Sequence, residues 1–204
     1  MHKNFEKGRS MIEMLGVLAI IGILSVGGIA GYSKAMSKFK LNQTVKDYIY
    51  VTQNILEQSD GLTKSTTFSL TEICQSLNII PPTWTLSRNT SIGKVFADNL
   101  GNSVDIFKDR TNNLYMEIYL DGIKPKSPFY NQTCTILLNN FVVPLHASLK
   151  ELQFWNAGIS SIFYTGDGYY SEEHKPIKDI TLKEMQELCQ NCNRRCSIVL
   201  TFKI

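Results

Sequence analysis

Histidine is scarce in this chain. Three occur in 204 residues, and His2, His146 and His174 stand far apart, with no nucleophile elbow spelled out around a serine. A nucleophilic triad needs a base held against its nucleophile and oriented by a third group. No such set is written here, and His146 and His174 read as isolated loop or surface residues. No glycine-rich phosphate loop follows a strand pattern. An excess of one charge is missing too: 21 basic against 18 acidic residues leave a net charge of +3. That balance carries no basic stripe of the kind a nucleic-acid groove shows, so no specific nucleic acid is expected as a partner. Low-complexity linkers and internal repeats are absent. Cysteine is absent before Cys74, and charge is absent from Met14 to Ser33.

That charge-free run is where the chain says most. About 20 helical residues rise about 30 Å, the depth of a bilayer's hydrocarbon core. Glu13 stands immediately before it. A carboxylate costs roughly 2.5–3.5 kcal/mol at the centre of a membrane helix and less near its edge. A residue with that cost needs a partner or a task, so Glu13 is the first candidate functional residue. Residues 1–8 are short, polar and weakly basic, with His2, Lys3 and Lys7 against Glu6. A secretory signal would place a small-residue cleavage site after a short apolar core. Here the apolar run is too long for that core, and the small residue beside the basic segment, Gly8, precedes the run.

Lys7-Gly8, four residues, Glu13 and then an apolar run containing Ile20-Ile21-Gly22-Ile23-Leu24 resemble the N-terminus of type IV pilins and of the pseudopilins of type II secretion. The resemblance covers about Lys7 to Asn42. It implies a prepilin leader at 1–8, removed on the cytoplasmic side by a prepilin peptidase that cuts after Gly8. It implies a transmembrane helix half at 9–33, and an amphipathic helix half with a globular head at 34–204. The new N-terminus would be Arg9, where the family usually has phenylalanine, and would carry N-methylation. Glu13 would serve assembly. The implied partners are further copies of the chain and related pilins in a helical filament, the inner-membrane assembly platform, the peptidase and membrane lipid. The implied role is a structural, non-enzymatic subunit of a pilus or pilus-like filament without cofactor or metal. The alternatives are a secretion pseudopilin or a membrane-anchored binding domain.

Orientation is not decided by flanking charge. Lys3, Lys7 and Arg9 precede the run, and Lys34, Lys38 and Lys40 follow it, a tie under the positive-inside rule. Cysteine use breaks the tie. Cys74, Cys134, Cys189, Cys192 and Cys196 all follow the run, and disulfides persist in oxidising compartments. The C-terminal bulk is therefore expected in the periplasm, with the chain anchored in the inner membrane before it enters a filament. Cys189, Cys192 and Cys196 with Cys74 or Cys134 would also make up a four-thiolate metal set. Disulfides are the expected use, though their connectivity does not follow from sequence. The resemblance implies a bond tying a C-terminal loop back to the sheet region, Cys134 with Cys189. Cys192 with Cys196 would form a second, local bond and leave Cys74 over.

The remainder reads as α+β: a long N-terminal helix on a small antiparallel sheet. Met36, Phe39, Val45, Tyr48, Ile49, Thr52, Ile55 and Leu56 recur at three- and four-residue steps, with Lys38, Lys46, Asp47 and Gln53 between them, the stripe of an amphipathic helix. This predicts one helix of about 45–50 residues, stopped at Ser59-Asp60-Gly61. Gly22, Gly27, Gly28 and Gly31 weaken it by up to about 1 kcal/mol each; they serve either close helix approach or local melting during assembly. Ser69-Leu70-Thr71-Glu72 and Thr181-Leu182-Lys183-Glu184 match capping boxes. Residues 104–107 and 114–120 read as a hairpin, residues 131–139 as a short helix, and 159–164 and 197–204 as strands. Thr165-Gly166-Asp167-Gly168 reads as a turn rather than a calcium loop, because few acidic ligands lie nearby. Phe163, Tyr164, Tyr169 and Tyr170 read as core and edge packing.

Overall fold

The computed structural model describes residues 11–90, 93–156, 160–192 and 194–204. Gly8 and Arg9 lie outside the described residues. Helix α1 runs Met11–Glu57, 47 residues, so Glu13 falls in its first turn. The chain divides into two compact units, Met1–Lys40 and Leu41–Ile204. The first contributes the N-terminal part of α1.

In the second unit α1 buries Leu41, Val45, Tyr48, Val51 and Ile55, at the steps of one helix face. This departs from the expected stripe at its start. Phe39 is 65% exposed, whereas Asp47, expected among the polar positions, is 6% exposed. The helix breaks at Gln58 (φ −106°, ψ 12°), and the expected stop is itself a short helix, α2 (Ser59–Thr63), pinned by buried Leu62. Helix α3 (Thr71–Ser76) begins without a side-chain cap, which corrects the first capping box. The Ser69 backbone is committed elsewhere, in a bridge to Phe107, flanked by Leu70 N–H to Ile106 carbonyl and Lys108 N–H to Phe68 carbonyl, each 2.9 Å. Those backbone bonds outweigh a cap.

Eight strands form one sheet: β1 (Thr85–Thr90), β2 (Gly93–Ala97), β3 (Ser103–Lys108), β4 (Leu114–Tyr119), β5 (Leu149–Asn156), β6 (Ser160–Thr165), β7 (Lys175–Pro176) and β8 (Cys196–Phe202), ordered β1-β2-β3-β4-β8-β5-β6-β7. Every pair is antiparallel except β6 with β7. Strand β8 comes last in the chain and lies inside the sheet, all seven residues buried. Strand β4 alternates, with Leu114, Met116 and Ile118 in the core and Tyr115, Glu117 and Tyr119 on the outward face. Strand β5 carries a register shift between Leu149 and Glu151. This bulge breaks its alternation and hides it from a periodicity reading.

Helix α4 (Pro128–Leu137) starts at Ser127, whose hydroxyl accepts from Tyr130 N–H, with Pro128 at the first position, where its missing N–H costs nothing. It runs on into a π-helical turn, Leu138–Val142. Helix α5 (Leu182–Gln190) has the expected capping box between Thr181 and Glu184. The buried side of α1, the inner sheet face, α4 and α5 share one core.

Candidate functional site

The N-terminal half of α1 presents apolar surface on all sides. Met14, Leu18, Ile23, Val26 and Ile29 are 58%, 61%, 74%, 70% and 70% exposed. The most apolar stretch of the helix has mean hydropathy 2.2 and none of it is buried. It is long and apolar enough to cross a bilayer. A Cβ added at Gly16, Gly22, Gly27, Gly28 or Gly31 would meet no atom within 4 Å, so none of these glycines is needed for packing inside the chain. A contiguous exposed apolar surface of this size marks contact with lipid or protein. Glu13 stands at its N-terminal end.

The C-terminal half of α1 is locked by a polar knot that the sequence did not announce. Asp47 accepts hydrogen bonds from Gln43 Nε2 at 2.9 Å, Thr83 Oγ1 at 2.9 Å and Asn99 Nδ2 at 2.7 Å. The adjacent Tyr48 hydroxyl donates to Asp98 Oδ2 at 2.8 Å. Asp98 also accepts from the N–H groups of Leu100 and Asn102, each at 2.8 Å, and from Asn102 Nδ2 at 2.9 Å. Burial pushes the Tyr48 hydroxyl well above the ordinary tyrosine range, and Asp98 pushes it further. Burial also raises the Asp98 carboxyl, against the pull of its donors. The Asn99-Leu100-Gly101-Asn102 turn cluster is the signal the sequence offers. Its role as a receptor for α1 needs the tertiary pairing.

The cysteines are joined as Cys134–Cys189, linking α4 to α5 across a separation of 55 residues, and as Cys192–Cys196 across a separation of 4. Tyr130 hydroxyl donates to Cys192 Sγ at 2.8 Å. Cys74 is free and buried, and burial pushes its thiol up to about 12. Among the described residues no three His, Cys, Asp or Glu side chains are arranged to hold a metal, and four of the five thiols of the alternative metal set are taken up in disulfides.

The outward sheet face carries a pair of facing carboxyls. Asp105 on β3 lies opposite Glu117 on β4. Glu117 accepts from Ser197 Oγ at 2.6 Å and Tyr119 hydroxyl at 2.8 Å. Asp105 is 3% exposed and its Oδ1 has no donor. Burial, then the facing Glu117, push its carboxyl up to about 6.

His146 is not isolated as expected: its Nδ1 lies 3.0 Å from Asp167 Oδ2, and Lys178 lies 3.6 Å from Asp167 Oδ1. Asp167 thus serves as a local anion partner in its turn. The aromatic group also separates. Tyr164 is buried and Tyr170 is 90% exposed, while Tyr169 receives Lys150 and Lys203 at 5.8 and 5.9 Å from its ring centre.

No protein-family model matches the chain. No curated protein matches it either. Among solved structures it is similar to a type IV b pilin from Salmonella typhi, with a TM-score of 0.51 and 10% identity, over 80% of this chain and 99% of that one. The likeness shows that this chain has the fold of a type IV pilin.

Proposed function

We propose that this chain is a non-enzymatic structural subunit of a type IV pilus or pilus-like filament. One observation carries the reading: a pilin fold whose N-terminal helix leaves its apolar surface uncovered. Residues 1–8 serve as the leader, Gly8 as the cleavage boundary and Arg9 as the mature, N-methylated terminus. Residues 9–33 hold the subunit in the inner membrane and then enter the filament core. Residues 34–204 form the second helix half and the periplasmic head. Prepilin peptidase and an inner-membrane platform process and assemble it.

Glu13 sets the docking. After cleavage the new α-amino group lies four residues before it, about one helical turn. In the filament core an incoming amine meets a neighbour's Glu13 carboxylate at low dielectric, where a lone partner costs roughly 3–5 kcal/mol.

N-terminal sequencing and intact mass of membrane-purified protein test the processing, with a start at Arg9 expected. Glu13→Ala is expected to insert, to be cleaved and to fold, yet to be lost from filaments. A mature start at Met1, or normal assembly of Glu13→Ala, overturns the reading.

A further inference from the structure

We propose that the Cys192–Cys196 loop of one copy of this chain docks, through Arg194 and Arg195, onto the outward sheet face of the next copy at Glu117 and Glu151. This rests on the filament reading and assigns within it a contact between the globular parts of neighbouring copies.

The receiving face is built by register. Asp105 pairs with Glu117, which pairs with Val199 of β8 and through it with Gln153 of β5. On the same face, one step along the strands, Tyr115 pairs with Thr201 and that with Glu151; one step the other way, Tyr119 pairs with Ser197 and that with Trp155. Across β3, β4, β8, β5 and β6 these three registers hold carboxylates and aromatic rings but no lysine or arginine, in a chain that has 21 of them. Among the described residues no ion pair neutralises Asp105, Glu117 or Glu151. Outward positions on β8 are short side chains, Ser197, Val199 and Thr201, and all are buried. Between the tyrosines of β4 and Trp155 of β5 they form the floor of an acidic, aromatic-walled trough.

The donor is the disulfide loop that leads into β8, with Arg195 two residues before Ser197 at one end of the trough. The disulfide holds the Cys192 and Cys196 Cα atoms 5.9 Å apart. Both cysteines are buried, and Arg194 and Arg195 between them are exposed. Neither arginine has a carboxylate partner among the described residues. A loop closed in this way loses little freedom on binding. Glu117 and Glu151 are separated by two strand spacings and one register step, about 12 Å. Two arginine side chains from neighbouring Cα atoms about 3.8 Å apart span that distance. Guanidinium is also the cation suited to the site, since it pairs with carboxylates in a bidentate fork and stacks on aromatic rings. A chain bearing two complementary, non-identical patches associates head to tail, and such contacts propagate as helices when they do not close.

The test uses the full-length chain expressed with its assembly machinery, with filaments sheared and weighed. A benzophenone photocrosslinker at position 195 is expected to join the loop to a second copy within 114–119 or 149–156. The double change Arg194→Glu with Arg195→Glu, and separately Glu151→Lys, are each expected to cut filament yield by about tenfold, as for loss of a close charge contact. Combining them is expected to recover yield above either parent. Non-reducing peptide mapping and thermal midpoints confirm that each variant folds. If a reversal unfolds the head, Arg194→Ala with Arg195→Ala takes its place, with the same loss expected. Wild-type yield from the arginine variants, crosslinks confined to other segments, or no recovery in the combination overturns the contact while leaving the filament reading intact. No filament from the unmodified chain overturns the filament reading and the contact with it.

Discussion

Replacing Asp105 by asparagine should stabilise this protein, and only at high pH. The side chain is 3% exposed, one of its oxygens has no donor, and it faces Glu117 across the strand pair. Its carboxyl rises from 3.8 to about 6 in the fold. A raised acid means that the folded state penalises the charged form. Above pH 6 the penalty is fully present; as pH falls from 6 towards 3.8 it is relieved, and below 3.8 both states are neutral. A shift of roughly two units corresponds to about 3 kcal/mol at pH 8. The asparagine side chain keeps the shape, removes the charge and offers Glu117 an N–H donor. Asp105→Asn is therefore expected to gain about 2–3 kcal/mol at pH 8 and almost nothing at pH 3.5. Urea unfolding of the detergent-solubilised full-length chain, followed by the fluorescence of buried Trp84, measures both values. A variant no more stable than wild type at pH 8, or a gain that is the same at both pH values, would refute the assignment of a strained carboxyl to Asp105.

Three further outcomes are expected. Cys134→Ala with Cys189→Ala should lower unfolding free energy by about 4 kcal/mol, and Cys192→Ala with Cys196→Ala by about 2 kcal/mol, because loop-closure entropy grows with loop length; calorimetric midpoints should rank them in that order. Cys74 should resist maleimide in the native protein at pH 8 and react on unfolding, since its thiol is buried and rises to about 12; mass spectrometry showing prompt native labelling would contradict this. Tyr48→Phe should cost about 1–2 kcal/mol by leaving buried Asp98 one donor short, as read by urea midpoint.

What can be read in the sequence follows from how local each pattern is. Helix α1 and the β3–β4 hairpin show their periods within single segments, and the Thr181–Glu184 box lies within four residues. Strands β1 and β2 leave no such mark, because Thr85–Thr90 is polar and lies at the sheet edge. Strand β5 is hidden by its bulge. Asp47 reads as a solvent-facing charge because its three donors come from Gln43, Thr83 and Asn99, two of them far along the chain. Glu13 and Gly8 stand out because their spacing is linear. The Glu117–Glu151 trough becomes visible only once β8 is placed between β4 and β5.

That placement has a kinetic consequence. Strand β8 follows the other seven strands along the chain and is the one that joins the two halves of the sheet. Ser197 meets Glu117 across 80 residues. Until it arrives, β4 and β5 each expose an unpaired row of N–H and C=O groups, the template on which edge-to-edge aggregation starts. A sheet closed by so distant a partner folds slowly, because a long loop must be ordered before the contact repays it. Each folding head therefore passes through an open-sheet interval. During it the chain is at its most sticky, and whatever shields those two edges then governs how much of it reaches the folded state.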